Sequence, residues 1–141
     1  MHDIRWKQRY ANYTNILNIL KSNFQNKKPE DFTELEQIGL AKSFELCFEL
    51  LWKLIKDYLE HEDVEIGLIS PKNILKAAAS RGLLGQMDVD GDILLKTHKS
   101  RNELTHVYDH EKFSSALHDI KYIYLPEMIK IDSYFMVKMN E

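Results

Sequence analysis

The side chains best suited to chemistry lie close together, in the stretch from Lys96 to Asp109 of this 141-residue sequence. Cations and imidazoles are concentrated there, namely Lys96, His98, Lys99, Arg101 and His106. A guanidinium can grip a phosphate through two parallel hydrogen bonds, and an imidazole can give or take a proton near neutral pH. The stretch therefore predicts a phosphate-binding site with an imidazole beside it, to which Lys96 and Lys99 contribute positive charge.

Helical geometry would place these side chains on two neighbouring faces. Asn102 shares one face with His106, and Arg101 shares the adjacent face with Tyr108. Arg101 and His106 are separated by about 140° around a helix axis, so they would flank a groove rather than touch. On residue types alone, a solvent-exposed helix end with extended cations is the competing interpretation.

An aspartate-rich segment just before this stretch resembles the start of a calcium loop. Asp88, Asp90 and Asp92 have the alternate spacing of an EF-hand, but the positions that require Gly and a bidentate Glu hold Ile93 and Lys99. The segment is therefore interpreted as an acidic loop.

Other catalytic and metal-binding motifs are incomplete. His106 and His110 could share a helix face, but a zinc site needs further ligands, and the Glu of the zinc-protease motif is missing. The sequence contains no Gly-rich phosphate loop with Lys and Ser or Thr, and no serine-hydrolase nucleophile elbow. We expect neither a metal ion nor a cofactor.

Composition restricts the class of protein. Hydrophobic residues make up 44% and charged residues 29%, with five Gly and three Pro, which indicates one globular domain over residues 1–141 and disfavours an all-β fold. A net charge of −3 argues against a general nucleic-acid coat protein. The single cysteine, Cys47, lies in an apolar run, as a buried thiol in a reducing compartment would. Without an apolar leader or a run of about 20 apolar residues, a cytoplasmic protein with no membrane span is expected.

The first half of the chain predicts two long helices. The first carries an apolar face made of Trp6, Tyr10, Tyr13, Leu17, Leu20 and Phe24. After a break at residues 25–29, a capping box at Thr33 begins the second helix, which continues to about Glu60. Its main stripe consists of Ile38, Ala41, Phe44, Phe48, Leu51, Ile55 and Tyr58. Further apolar residues lie off this stripe, so the helix is expected to be central or to meet a partner.

The second half predicts shorter helices. Ser70 and Pro71 begin one that stops near Gly82, and Asp90 or Asp92 begins another that runs towards Arg101. A last helix carries Phe113, Leu117, Ile120 and Tyr124, and Pro126 should kink or break it. Since no segment alternates with period two, we predict an all-α, antiparallel up-and-down bundle of four main helices plus a short one.

The motif at residues 101–108 resembles that of a known family. Arg101, Asn102, His106 and Tyr108 match the R-x4-H-x-Y motif of HEPN domains, and in particular of the nucleotidyltransferase substrate-binding proteins, or HepT toxins. Upstream blocks agree in order with that branch: residues 44–53, Ser70-Pro71, Gly82-Leu83-Leu84, and Tyr124 with Pro126 in the last helix. The resemblance covers most of the chain.

The resemblance implies a homodimer in which the motifs of both subunits line one cleft. It also implies a metal-independent endoribonuclease toxin, in which Arg101 holds the scissile phosphate, Asn102 orients the site and His106 transfers a proton. The partner implied is a minimal nucleotidyltransferase antitoxin, which transfers AMP to Tyr108. An AMP group there would block RNA by its bulk and negative charge.

Two further functions are compatible with the sequence. The chain could be a non-catalytic subunit that binds a nucleotide or substrate for its nucleotidyltransferase, with Arg101 and His106 gripping a phosphate without cleavage. It could also be a helical adaptor whose motif only supports the dimer. The complete motif favours the ribonuclease.

Overall fold

The computed structural model describes residues 2–104 and 110–141. These two parts contain α-helices, one 3₁₀ turn and one π-helical segment, and no strand lies within them. The α-helices are α1 (His2–Asn26), α2 (Glu34–His61), α3 (Pro71–Ser80), α4 (Leu83–Gln86), α5 (Gly91–Leu104), α6 (His110–Asp119) and α7 (Leu125–Met139). The 3₁₀ turn is Pro29–Asp31, and the π-helical segment is Ile120–Tyr124. The all-α prediction is confirmed.

α1 and α2 form a long antiparallel pair at the centre of the bundle. All six residues of the predicted apolar face of α1 are buried. Arg9, near the start of α1, donates from Nε to the buried carboxylate of Asp57, near the end of α2, over 3.0 Å. The hydroxyl of Tyr13 donates to the backbone carbonyl of Met128 over 2.6 Å and so joins α1 to α7. The first of these contacts holds α2 against α1, and the second holds α7 against α1.

The predicted start of α2 is confirmed. The backbone N–H of Thr33 donates to the Glu36 carboxylate, and the backbone N–H of Glu36 donates to Thr33 Oγ1, which is the reciprocal pattern of a capping box. The assignment of Ile38 to the buried stripe is wrong, because this side chain is 46% exposed. Gln37 is buried instead, and its amide donates to Ser114 Oγ of α6 over 3.0 Å.

The segment before α5 contains one helix that the sequence analysis missed. Ser70 Oγ caps α3 as predicted, and Gly82 then adopts φ +77°, a left-handed conformation that suits Gly. The chain turns there into α4, whose Leu83 and Leu84 are buried. At the start of α5, Oδ1 of Asp90 accepts from the backbone N–H groups of the next turn, so Asp90 rather than Asp92 is the cap.

The helical path from α6 to α7 is continuous through the π-helical segment. Pro126 lies in the first turn of α7, directly after that segment. Proline has no N–H to donate within a helix, and the wider π turn is the local irregularity at this point. The predicted disturbance at Pro126 thus takes the form of a π-helical segment rather than a break. Counting α6 to α7 as one helix, residues 2–104 and 110–141 form four main helices and two short ones.

A single apolar core receives side chains from all these helices. Cys47 is buried within it, as predicted, and burial raises the pKa of its thiol, as does the nearby charge of Asp132. Within residues 2–104 and 110–141, no helix combines the length and apolar character that crossing a bilayer requires.

Candidate functional site

The described part of the predicted site lies in the last two turns of α5. This helix packs against α2, α3 and the π-helical segment. Arg101 and Asn102 lie near its C-terminal end. His106 and Tyr108, predicted as the proton-transfer group and the AMP acceptor, fall outside the described residues.

Arg101 is held against α2 by a carboxylate. Its Nη2 donates to Oε2 of Glu49 over 3.2 Å, and its Nη1 donates to Oδ1 of Asn102 over 3.1 Å. The Arg101 side chain is 28% exposed and that of Glu49 is 33% exposed, so the ion pair lies at the edge of the bundle. Two different acceptors therefore orient the guanidinium, while part of the side chain reaches solvent.

Glu49 is the supporting residue that the sequence analysis did not single out. Its Oε2 also accepts from the indole Nε1 of Trp52 over 3.1 Å, and its Oε1 pairs with Nζ of Lys53 over 3.3 Å. Partial burial raises the pKa of the Glu49 carboxyl, but the hydrogen bonds and charges of Trp52, Lys53 and Arg101 outweigh it and lower the pKa. The only sequence signal is an acid within the apolar arc of α2, and this gives no indication of a contact with α5.

Asn102 joins Arg101 to a partly buried imidazole. Its Nδ2 lies 3.5 Å from Nε2 of His98, and the His98 ring stacks on Phe48 of α2 at 5.5 Å between centroids. An amide nitrogen only donates, so a hydrogen bond here requires the neutral tautomer of His98 in which Nε2 accepts. Burial lowers the pKa of His98, as do the charges of Arg101 and Lys72, while Glu49 opposes them. The lowered pKa favours the neutral form of His98, whose ring packs on Phe48 beside Asn102.

Lys96 and Lys99 lie on a different side of α5 from Arg101. They line an open groove of about 780 Å³ between α5 and α6. The other residues that line it are Ser100, Glu103, Leu104, Lys112, Phe113, Ser115, Ala116, Asp119 and Tyr124. Lys112 could not be identified from the sequence, since only packing brings this lysine of α6 opposite those of α5. Glu103 and Asp119 offset part of the positive charge.

The structure thus brings Arg101 together with Asn102, and it places the predicted phosphate-binding lysines on a different side of α5 from Arg101. Lys96 lies about 140° from Arg101 around the axis of α5. Asn102 and Lys99 are exposed, and they occupy the outer side of α5 between the two regions. A ligand with several phosphate groups that extends from Arg101 to the groove would cross this outer side.

The described residues contain no group of three or more His, Cys, Asp or Glu side chains arranged to hold a metal ion. The acidic loop at 88–92 instead serves the fold. Its Asp90 caps α5, and the backbone N–H of Asp90 donates to Glu127 of α7 over 3.2 Å.

Comparison with known proteins adds two findings. The family model described as nucleotidyltransferase substrate binding protein like matches residues 8–136, from α1 to α7. A protein named probable ribonuclease HepT from Haemophilus influenzae (strain KW20 / Rd) is 27% identical over 106 residues. The alignment covers 73% of this chain and 70% of that relative.

The lowered pKa of His98 predicts a specific loss of stability in acid. The unfolded chain binds a proton at His98 more readily than the folded chain does. The stability associated with the neutral ring is therefore complete above the ordinary pKa of 6.5 and is lost as the pH falls below it. Between about pH 7.5 and about pH 5.5, the free energy of unfolding should therefore fall less in His98→Gln than in wild type. Urea denaturation at the two pH values measures both changes. His118→Gln changes an exposed histidine and should leave the decrease unchanged. Equal decreases in wild type and His98→Gln would contradict this interpretation.

Proposed function

This chain belongs to the family of nucleotidyltransferase substrate binding protein like proteins, and on that premise we propose that it is a HepT-like HEPN toxin. It acts as an endoribonuclease that cleaves RNA without a metal ion. The observation that carries the proposal is the complete R-x4-H-x-Y motif at residues 101–108, in a chain whose relative is named a probable ribonuclease. The whole of residues 1–141 acts as one HEPN-like domain in the cytoplasm.

The proposed reaction uses the 2′-hydroxyl of RNA as the nucleophile. Its oxygen bonds to the adjacent phosphorus as the bond from phosphorus to the 5′-oxygen breaks. His106 takes the proton from the 2′-hydroxyl and gives a proton to the departing 5′-oxygen. Arg101 stabilises the negative charge that builds up on the phosphoryl oxygens.

The contacts of Arg101 support this role. A guanidinium held by Glu49 and Asn102 has a defined orientation before RNA arrives, which reduces the reorientation that the transition state would otherwise require. Asn102 acts from the adjacent position and is itself placed by His98. A pre-oriented guanidinium that is partly exposed at the edge of the bundle suits recognition of a phosphodiester.

We assign the groove between α5 and α6 to the RNA backbone. Lys96 and Lys99 lie along it and form no ion pair with another described residue, and Lys112 faces them from α6. An RNA strand held at Arg101 would cross the outer side of α5 at Lys99 and place its neighbouring phosphates along the groove. Lysine ammonium groups bind phosphates without selecting sequence.

A homodimer completes the proposed site. Exposed apolar side chains follow the outer side of α2, namely Leu35, Ile38 and Leu46. A two-fold contact through this side would cover them, and it would bring two copies of the positively charged site towards one cleft.

The partner we propose is a minimal nucleotidyltransferase that acts as antitoxin. It transfers AMP from ATP to the hydroxyl of Tyr108, forming a phosphodiester and releasing pyrophosphate. The added phosphate and adenosine would occupy the region next to Arg101 and repel the RNA backbone.

A second candidate function follows from the substrate-binding description of the matched family. The chain would then be a non-catalytic subunit that presents a nucleotide or substrate to a nucleotidyltransferase. Arg101 and His106 would bind a phosphate without cleaving RNA.

The ribonuclease proposal predicts cleavage of RNA in EDTA by purified, unmodified protein. His106→Ala should lower the rate by roughly 10²–10⁴-fold, because a proton-transfer group is lost. Arg101→Lys should also lower it, since an ammonium cannot reproduce the planar fork. The exposed His118→Ala, with matched folding and dimer content, is the control and should cleave as wild type does. Absence of cleavage by wild type, with unmodified Tyr108 verified by mass, would contradict the proposal and favour the binding subunit.

The modification proposal predicts AMP on Tyr108 after co-expression with the partner. Mass spectrometry of the peptide that contains Tyr108 should show additions of AMP, and Tyr108→Phe should abolish them. Tyr122→Phe removes an exposed tyrosine elsewhere and should leave them in place. Additions that persist in Tyr108→Phe would refute the assignment.

A further inference from the structure

The motif arginine is oriented by a side chain that lies 52 positions earlier in the sequence. Glu49 contacts Arg101 over 3.2 Å across the boundary between α2 and α5. Although the motif at residues 101–108 is contiguous, the orientation of its first residue thus depends on another helix. The inference below rests on the proposed function.

The carboxylate of Glu49 is itself held in a fixed place. The same oxygen, Oε2, accepts from Trp52 and from Arg101, and the Trp52 side chain is only 9% exposed. Lys53 engages the other oxygen, Oε1. An anion fixed by a buried indole and by its own helix is a rigid support for a cation, unlike a freely rotating surface glutamate.

We propose that Glu49 is the positioning residue for Arg101, which it holds in the orientation that the scissile phosphate requires. It acts through the guanidinium and does not contact RNA. Asn102 constrains the other terminal nitrogen, so the loss of Glu49 leaves Arg101 with one of these two supports.

Such a residue has opposite effects on binding and on chemistry. The negative charge of Glu49 offsets part of the charge of Arg101, so its neutralisation should strengthen binding of RNA and lower KM. Transition-state stabilisation depends on the orientation of the guanidinium, so kcat should fall, by about 10-fold to 100-fold. Loss of folded protein would reduce kcat without lowering KM.

The experiment compares Glu49→Gln with Glu45→Gln in steady-state RNA cleavage. Glu45 lies one turn earlier on α2 and pairs with Lys42 over 3.5 Å, so its replacement removes the same charge without touching Arg101. We expect kcat and KM to fall in Glu49→Gln and to stay near wild type in Glu45→Gln. In an Arg101→Gln background, Glu49→Gln should have no further effect on kcat.

The outcomes separate this inference from the proposed function. If wild type cleaves RNA and Glu49→Gln retains its kcat, the positioning role is wrong and the ribonuclease stands. The role is also wrong if Glu49→Gln lowers kcat equally in the Arg101→Gln background.

If wild type does not cleave RNA, the ribonuclease proposal fails, and affinity for a 2′-O-methyl RNA oligonucleotide, which lacks the nucleophile, decides the inference. Tighter binding by Glu49→Gln than by Glu45→Gln, abolished in the Arg101→Gln background, supports the inference that Glu49 acts on the phosphate through Arg101. Equal affinities of the two variants overturn it.

Discussion

The packing of α2 constrains where its own charged side chains and their partners on neighbouring helices can lie. This helix contacts α1, α3, α5 and α6, and a wide, largely apolar face of it is buried. Two of its acidic side chains pair with cations from other helices. Asp57 is paired with Arg9 of α1, and Glu49 with Arg101 of α5. Because burying an unpaired charge is costly, each pair depends on the relative position of two helices.

The second of these pairs connects the fold to the proposed chemistry. Arg101 is oriented from α2 by Glu49 and from its own helix by Asn102, which is supported in turn by His98 on Phe48. The packed interface between α2 and α5 thus continues to the edge where the guanidinium reaches solvent. A chain with a net charge of −3 can in this way present a local site for phosphate.

Features that depend on a few neighbouring residues were predictable from the sequence. The capping box at Thr33, the cap at Ser70 and the buried face of α1 all follow from local hydrogen bonding or from helical period. Pro126 was expected to disturb the last helix, because its missing N–H is a property of the residue itself. The Arg101–Asn102 pair could be identified because both residues lie in one contiguous motif.

Features that depend on how helices meet were not predictable. Gln37 rather than Ile38 is buried because α6 brings Ser114 to that side of α2. The helix α4 follows from the left-handed turn at Gly82, which a short apolar pair did not reveal. Glu49 and Lys112 join the site through packing across 52 residues of chain in one case and across the groove between α5 and α6 in the other.

If Arg101 and His106 promote attack by the 2′-hydroxyl of RNA, the chemical ends of the cleaved RNA reveal it. Mass spectrometry of the products of purified protein in EDTA should show 2′,3′-cyclic phosphate and 5′-hydroxyl ends. Products with 3′-hydroxyl and 5′-phosphate ends would contradict the account, because they require attack by water rather than by the ribose.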